Sequence, residues 1–226
     1  RLHVLEIYDH LEDCKNPEKP FDAFKVNQIL EAKVIGFHNS KSHRYLPFSH
    51  TLFSSVTVVD FTMKPSEMAL PELALTNGLP RPTLIPVGTK LMGYVELLKR
   101  NHAVVRISRH FTASLSLLRA STDSKDIVEG SKILRPNVLS HYWIDNSEDH
   151  SISLSGVDPS GRPIPTIETL TVGDELVGVV VKISPVVGLV LRLSSTLEGR
   201  VHLTDIGNYI CETTTSAFKC GQYLNC

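Results

Sequence analysis

Short apolar runs separated by turn residues dominate the last third of the chain. Leu176–Ile183 and Gly188–Leu193 are rich in β-branched residues and flank a Ser184-Pro185 turn, a pattern that predicts a β-hairpin. Gly199–Leu203 has the same character and predicts a third strand. This part of the chain is therefore expected to begin with three consecutive strands.

The segments that follow the third strand predict a short helix and two further strands. Thr204–Phe218 lacks alternation and has room for a short helix, and the chain from Gly221 onward resumes a strand pattern that Gln28–Phe37 also shows. Val56–Phe61 and Ser151–Ser155 alternate polar and apolar residues and predict a fifth strand. Three strands, a short helix and two strands in about 70 residues is the order of the five-stranded oligonucleotide-binding (OB) barrel. The expected fold class is all-β.

Segments of the chain repeat one another in sequence, which indicates a tandem array. The matching pairs are Arg1–Ile7 with Arg200–Ile206, Ala23–Leu30 with Ala217–Leu224, Val87–Val95 with Val172–Val180, and Val104–Ser108 with Val190–Ser194. In this alignment Gly130 takes the place of Asn27 and Gly221 in the middle copy. The chain is therefore expected to cut across a series of similar barrels, each with a short helix after its third strand.

The repeats and the proline clusters between them predict the domain boundaries. Residues 1–66 are assigned to the C-terminal part of a first repeat, 84–156 to a complete repeat, and 168–226 to the N-terminal part of a third. Residues 67–83 and 157–167 contain the prolines and are assigned as linkers, since proline fixes φ and stiffens a connecting segment.

Glycines and a histidine-containing strand carry a resemblance to the S1 RNA-binding motif, an OB-fold family. The matching positions are Gly173, Gly178, Gly188, Glu198–Leu203, Phe218–Gln222 and Ile152–Ser155. Two further segments, Phe24–Phe37 and His43–Pro47, resemble a family of large nucleolar rRNA-processing proteins that carry about a dozen such repeats before a helical TPR-type tail.

This second resemblance implies a function and a set of partners. It implies a non-catalytic scaffold in the nucleolus that binds precursor ribosomal RNA during pre-rRNA processing. The implied protein partners are ribosome assembly factors of the small-subunit processome and of early large-subunit particles.

The resemblance also places an RNA face on strands two and three, where aromatic rings stack on bases and basic groups meet phosphates. The strand-two positions that this family often fills with aromatics are aligned here with Leu189 and Leu191 in the third repeat and with Val104 and Arg106 in the middle one. This departure weakens the expectation that one repeat binds RNA strongly by itself.

Basic residues remain as the candidates for phosphate contact. They are Arg1 and His3 in the first repeat, Lys99, Arg100, Arg106, Arg109 and His110 in the middle one, and Arg192, Arg200 and His202 in the third. The structural alternative is an ordinary solvated surface with a turn-proximal histidine bonded to the backbone.

Two aromatic segments add candidates. The loop His38–His50 contains Lys41, Arg44 and Tyr45 and is long for a hairpin connection, so docking of RNA or protein is one candidate role. The alternative, which is favoured, is a decorated surface loop whose Phe48 and Phe53 pack locally. Tyr142 and Trp143 occupy the matching region of the middle repeat, and packing in the core or between repeats is the favoured interpretation.

Composition and charge narrow the function classes. The 226 residues are 42% hydrophobic and 21% charged with a formal net charge of −1, which is typical of a soluble globular protein without a global positive field. Any RNA contact must then be local. No apolar run approaches the length of a membrane helix, so no membrane partner is expected. The four cysteines lack metal-ligand spacing, which favours free thiols in a reducing compartment.

The chain carries no P-loop, HExxH, GxSxG or GxGxxG motif. We therefore expect no catalysis, no cofactor and no metal site. Two alternatives stay open at this point. The repeats could have lost their RNA face and dock assembly proteins, or they could be the S1 region of an RNA-processing enzyme whose catalytic domain lies outside this segment.

Overall fold

The structure is a computed structural model that describes residues 1–39, 57–70, 85–108, 111–129, 134–148, 151–159, 164–206 and 214–226. Most regular structure in these ranges is β-strand. The strands form three sheets, one in each of the three stretches that the sequence repeats mark out. The all-β expectation is confirmed.

The middle stretch forms a closed five-stranded barrel. Its strands are β3 (Lys90–Leu98), β4 (His102–Arg106), β5 (Thr112–Ser116), β6 (Leu139–Glu148) and β7 (Ser151–Ser155). They lie in the order β3-β4-β5-β7-β6, with β5 and β7 parallel and the other neighbours antiparallel. This is the strand order expected for an OB barrel.

A short 3₁₀ turn at Leu117–Arg119 and the helix that we label α2, Ser124–Glu129, connect β5 to β6. The turn and helix stand where the sequence predicts a short helix. Ile127 of α2 is fully buried and belongs to the barrel core. The helix therefore contributes to the core of the barrel.

Alternation along the strands produces the barrel core. Ala103 and Val105 on β4, Leu115 on β5 and Ile144 on β6 are fully buried, because every second side chain of a strand points to the same face. Their intervening neighbours point away from the core. These outward positions form the surface on which a ligand or a neighbouring stretch can be placed.

The last stretch forms a four-stranded sheet of β8 (Val177–Ser184), β9 (Gly188–Arg192), β10 (Glu198–His202) and β11 (Tyr223–Asn225). The order β10-β9-β8-β11 reproduces the pairing of β5, β4, β3 and β6 in the barrel. Two 3₁₀ turns, Leu203–Asp205 and Thr214–Ala217, lie between β10 and β11. They occupy the segment in which a short helix is predicted.

The first stretch contains β1 (Lys33–Asn39) and β2 (Thr57–Thr62), paired antiparallel, and the short helix α1 (Pro65–Met68). Two 3₁₀ turns, Val4–Glu6 and Leu11–Asp13, precede β1. Helix α1 crosses the expected boundary between residues 66 and 67. Most of the predicted linker that follows lies outside the described residues.

A parallel bridge joins Leu2 to Phe61 of β2. It matches the parallel pairing of Leu115 on β5 with Leu154 on β7 in the barrel. The first stretch therefore repeats the contact between strands three and five.

The end of strand five makes a similar contact in the first and middle stretches. The hydroxyl of Thr62 donates to the carbonyl of Glu6 at 3.3 Å. The hydroxyl of Ser155 lies 3.4 Å from the carbonyl of Arg119 and also 2.6 Å from the carbonyl of Val157. Both hydroxyl side chains are fully buried, and Glu6 and Arg119 are each the last residue of the 3₁₀ turn. A buried hydroxyl that must find an acceptor fixes the turn against the strand.

The structure corrects one assignment within the repeat, because Gly130 is not the counterpart of Asn27 and Gly221. Asn137 holds that place: its φ of 68° matches the 67° of Asn27 and the 82° of Gly221. The N–H of Asn137 donates to the carbonyl of Val95 at 2.8 Å, and the N–H of Gly221 makes the equivalent bond at 2.6 Å. Asparagine tolerates the left-handed conformation, so a search for glycine alone misses this position.

The first stretch packs on the outer surface of the barrel through a small apolar cluster. Val4, Leu5 and Cys14 form a buried group with Leu139 of β6. The N–H of Leu139 donates to the carbonyl of Pro17 at 2.9 Å. The outer face of β6 is therefore an interface between stretches.

The last stretch packs on another side of the barrel. Val177, Val179 and Tyr223 belong to the same buried cluster as the barrel core. A separate buried group of Val180, Leu189 and Leu191 forms the inner face of the last sheet.

Cys14 is a buried free thiol, and Cys220 and Cys226 are exposed free thiols. Cys211 lies outside the described residues. Within the described ranges no group of three or more potential metal ligands comes together. Among the helices of those ranges, none has the length and apolar character to cross a bilayer.

Candidate nucleic-acid interface

Two arginines occupy equivalent positions at the end of strand two, Arg106 on β4 and Arg192 on β9. Each forms an ion pair of 2.8 Å with a glutamate: Arg106 with Glu96 of β3, and Arg192 with Glu198 of β10. The side chain of Arg106 is 9% exposed, whereas that of Arg192 is 49% exposed. Of the two, only Arg192 presents its guanidinium to a ligand in solution.

The structure corrects the assignment of the strand-two face in the last stretch. Leu189 and Leu191 point into the core, where each is 2% exposed. The outward positions are Val190 and Arg192. A shift of one residue moves a strand position to the opposite face of the sheet. Neither Val190 nor Arg192 is aromatic. We therefore still expect this repeat to stack weakly on RNA bases, although the residues that face outward are Val190 and Arg192 and not Leu189 and Leu191.

The first stretch lies close to Arg106. Tyr94 lies opposite Arg106 in the β3–β4 register, and the ring of His3 meets the ring of Tyr94 edge to face at 6.3 Å and 79°. The charge of Arg106 lowers the pKa of His3. The first stretch therefore covers the end of strand two in the barrel.

The two candidate histidines of the repeat cap 3₁₀ turns. Nδ1 of His3 accepts a hydrogen bond from the N–H of Leu5 at 3.2 Å, and Nδ1 of His202 accepts one from the N–H of Thr204 at 3.4 Å. The equivalent geometry supports the structural alternative for both rings, namely a histidine bonded to the backbone. His202 is exposed and has a second ring nitrogen available to a phosphate.

The pKa of His3 is lowered to about 4. Burial of the ring is the largest cause, since it disfavours the charged form. Four charged neighbours also act on this pKa: Arg106, Arg1 and Lys64 lower it, and Asp60 raises it. His3 is therefore neutral at physiological pH and acts as a hydrogen-bond acceptor.

This lowered pKa predicts a loss of stability in mild acid. An unfolded histidine protonates below about pH 6.5, whereas folded His3 stays neutral until about pH 4. Neutral His3 therefore makes its full contribution to the free energy of unfolding above pH 6.5, and this contribution falls as the pH drops toward 4. Between pH 7 and pH 5 the loss should be about 2 kcal/mol.

Denaturant unfolding of the wild type and of His3→Gln at both pH values measures this effect. His3→Gln should lose less stability than the wild type over the same interval. The matched control is His202→Gln, which removes the equivalent cap at an exposed site. Equal losses in the wild type and His3→Gln would contradict the assignment.

Several candidate cations are exposed or committed to other contacts. Lys99 and Arg100 lie in the β3–β4 turn and are exposed, as is Arg200 on β10. The guanidinium of Arg100 donates to the carbonyl of Cys220, so it joins the barrel to the last stretch. Lys99, Arg200, Arg192 and His202 are the candidates with accessible polar ends.

Arg1 is tied to the first stretch. Its backbone nitrogen donates to the carbonyl of Val59, and its guanidinium lies 3.6 Å from the buried carboxylate of Asp60. The remaining candidates lie outside the described residues: Lys41, Arg44, Tyr45, Arg109 and His110.

Tyr142 and Trp143 have different surroundings. Tyr142 is 2% exposed and lies in the barrel core, where burial raises the pKa of its hydroxyl. Trp143 is partly buried on the outside of β6, with the ammonium of Lys90 at 5.8 Å from its ring centre. Core packing is thus confirmed for Tyr142.

Sequence reasoning missed the glutamates that pair with the two arginines. Glu198 lies directly opposite Arg192 in the β9–β10 register, so a correct hairpin register alone would have found this pair. Glu96 is two residues past Tyr94, beside a bulge between Val95 and Leu97. An irregularity of this kind shifts the register and conceals the pair in the sequence.

Comparison with known proteins adds relatives to this geometry. Residues 1–68 match the family model described as "Protein RRP5 homolog-like, OB domain". The chain is 25% identical over 206 residues, or 91% of its length, to "rRNA biogenesis protein rrp5" of Schizosaccharomyces pombe. It is 22% identical over 249 aligned positions, covering 100% of its length, to "rRNA biogenesis protein RRP5" of Arabidopsis thaliana.

A solved structure, "Solution structure of GSP13 from Bacillus subtilis", matches with 20% identity and a TM-score of 0.28, covering 39% of this chain and 66% of that one. The chain spans about 12% of the length of the two curated relatives. The sequence matches extend across nearly all of the chain, and its residues 1–68 match the OB domain of the RRP5-homolog family. This chain is similar in sequence to the rRNA biogenesis proteins named RRP5.

Proposed function

We propose that this chain is a non-catalytic RNA-binding scaffold in ribosome biogenesis. It holds precursor ribosomal RNA and assembly factors of the two subunits while the pre-rRNA is processed in the nucleolus. The observation that carries the proposal is the similarity to rRNA biogenesis proteins along 91% and 100% of the chain. The proposal includes the division into a first partial repeat, a complete repeat at 84–156 and a third partial repeat.

The accessible cations support contact with phosphate. Lys99, Arg200 and His202 are exposed on the barrel turn and on β10, and Arg192 is half exposed beside Glu198. Such groups position an RNA backbone without reading its sequence. With a net charge of −1, each repeat contributes only a few phosphate contacts.

Weak repeats gain affinity when they are joined. A second repeat that binds the same RNA does so at a high effective concentration, which strengthens binding by about 10² or more without new contacts. The contacts of the first and last stretches with the barrel fix the spacing of the binding surfaces. A scaffold of this kind holds a long RNA while each single contact remains exchangeable.

Salt dependence tests the proposal. If about three phosphates are contacted, the affinity for an unstructured single-stranded RNA should fall roughly 20-fold between 50 and 200 mM salt. Lys99→Gln and Arg200→Gln should each make the dependence less steep by about one ion. Fluorescence anisotropy with a labelled oligonucleotide measures both effects.

Lys125→Gln is the matched control, since it removes an exposed positive charge of α2 that is not among the candidates. It should leave the salt slope unchanged. Absence of RNA binding at low salt would overturn the proposal and favour the second function, docking of assembly proteins. The observation that favours this second function is the burial of Arg106 with Glu96, which withdraws one candidate cation from RNA.

A further inference from the structure

A cleft of about 430 Å³ lies between the barrel and the last sheet. Its barrel side is formed by His102 on β4, Ser114 and Ser116 on β5, Asn146 on β6 and Ser153 on β7. Its volume falls within the range of small-molecule sites in proteins. Both stretches are needed to form it.

The floor of the cleft is a continuous row of short polar side chains across four strands. His102 lies opposite Ser116, Ser114 opposite Ser153, and Ser153 opposite Asn146. Serine hydroxyls both donate and accept hydrogen bonds, and the asparagine amide also does both. Small side chains at these positions leave the space that the cleft occupies.

The facing wall has an apolar part and a polar part. Val179 of β8, Leu193 after β9 and Tyr223 of β11 form the apolar part, and Arg192, Ser194 and Ser195 form the polar part. The hydroxyl of Tyr223 donates to the carbonyl of Asn101 at 3.4 Å, so this ring is held by the barrel turn. A flat ligand with polar edges is complementary to an apolar patch that faces a polar floor.

Charge inside the cleft is balanced. Arg119 and Asp145 both line it and form an ion pair of 3.1 Å, with side chains 10% and 13% exposed. Arg192 is the other cation of the lining, and Glu198 pairs with it. An interior without net positive charge favours a neutral group over a phosphate, while the exposed Arg192 is placed to meet a phosphate beside that group.

We propose that this cleft receives a nucleobase of single-stranded RNA, with the adjoining phosphate at Arg192. The inference rests on the proposed function and adds the place and the part of the RNA that is bound. The site is shared between two repeats, so the packing of the last stretch on the barrel creates it. Hydroxyl and amide groups of the floor bond the edge of the base, and Val179 and Leu193 cover its face.

A pair of tryptophan substitutions on one strand tests this site. Ser114→Trp fills the cleft from an exposed position of β5. Thr112→Trp is the matched control, because Thr112 is exposed on the same face of the same strand and does not line the cleft. Ser114→Trp should weaken binding of a uridine oligonucleotide about 10-fold or more, and Thr112→Trp less than about 2-fold.

An abasic oligonucleotide of equal length separates base contact from backbone contact. It should bind the wild type and Ser114→Trp with equal affinity. If the wild type binds RNA and Ser114→Trp binds it equally well, the cleft assignment is overturned and the proposed function is retained. If the wild type binds no RNA at low salt, the proposed function fails as well.

Circular dichroism and thermal melting establish whether Ser114→Trp is folded. If it is not, Asn146→Ala provides the second test, since it leaves the cleft open and removes an amide from the floor. Its affinity for the uridine oligonucleotide should fall about 2- to 10-fold, with no change for the abasic strand. Unchanged affinity for both strands would overturn the inference.

Discussion

Gly188→Ala is expected to destabilise the last sheet by roughly 3–5 kcal/mol, the sum of backbone strain and overpacking. Gly188 begins β9 with a φ of +115°, which other residues rarely adopt. A Cβ at this position would overlap the carbonyl oxygen of Val201 and lie 2.9 Å from the N of Leu203. Both are backbone atoms of the paired strand and the turn after it, so neither side can give way by changing a rotamer.

Two other glycines of the same stretch separate strain from overlap. A Cβ on Gly199 would have its nearest neighbour at 3.4 Å, an ordinary contact, and Gly173 has a φ of +103° with nothing within 4 Å. We expect Gly199→Ala to change stability by less than about 1 kcal/mol and Gly173→Ala to cost about 1–2 kcal/mol.

Denaturant unfolding ranks the three variants, and hydrogen exchange locates the loss. Fast exchange in Gly188→Ala should begin at β9 and β10. Because Val177 and Val179 belong to the barrel cluster, exchange in β4 and β5 should also accelerate. A transition midpoint for Gly188→Ala equal to that of Gly199→Ala would contradict the argument.

The positions of the strands could be predicted from the sequence, because the local pattern of apolar and turn residues determines them. The segment predicted at Leu176–Ile183 is observed at Val177–Ser184, and the one predicted at Ser151–Ser155 has those same bounds. The internal repeat carried the order of elements from one stretch to the next. Periodicity and turn residues therefore sufficed for element type and order.

The face of a strand was harder to predict. The resemblance to the S1 motif predicts Leu191 on the candidate RNA surface, whereas in the structure Leu191 is buried and Arg192 points outward. The two assignments differ by a single residue. Because β9 is apolar from Gly188 to Leu191, its sequence does not alternate between polar and apolar residues, so alternation alone cannot fix the face.

Contacts between stretches could not be predicted at all. Nothing near Arg106 in the sequence shows that its charge acts on the pKa of His3, which lies some hundred residues earlier in the chain. The cleft at Ser114 and Ser153 likewise exists only because the last sheet packs on the barrel. Both features are tertiary, and they decide which candidate residues are accessible.

Removal of Glu96 is expected to destabilise the barrel by about 3 kcal/mol, the typical cost of leaving a buried charge without its partner. Two contacts, at 2.8 and 3.0 Å, join the Nη2 atom of Arg106 to the two carboxylate oxygens of Glu96. In Glu96→Ala the Arg106 side chain, which is 9% exposed in the wild type, would lose this carboxylate. Arg106→Glu would place two carboxylates together and should be worse.

The equivalent pair in the last stretch provides the control. Arg192 and Glu198 have side chains 49% and 47% exposed, and solvent screens such a pair to about 0–1 kcal/mol. Glu198→Ala should therefore change stability by less than about 1 kcal/mol. Equal destabilisation by Glu96→Ala and Glu198→Ala in urea unfolding would contradict the assigned difference in burial.

The double variant Glu96→Leu/Arg106→Met distinguishes a buried pair from a buried charge. Replacing both partners by apolar side chains removes the unpaired charge, so the double variant should be more stable than Glu96→Ala. The stability of these variants also decides which charge-reversal variants give an interpretable measurement of RNA binding. Because Arg106→Glu should destabilise the barrel by more than about 3 kcal/mol, a loss of RNA binding in that variant does not by itself report on phosphate contact. Arg192→Glu should remain folded, so a loss of affinity in that variant measures the contact itself.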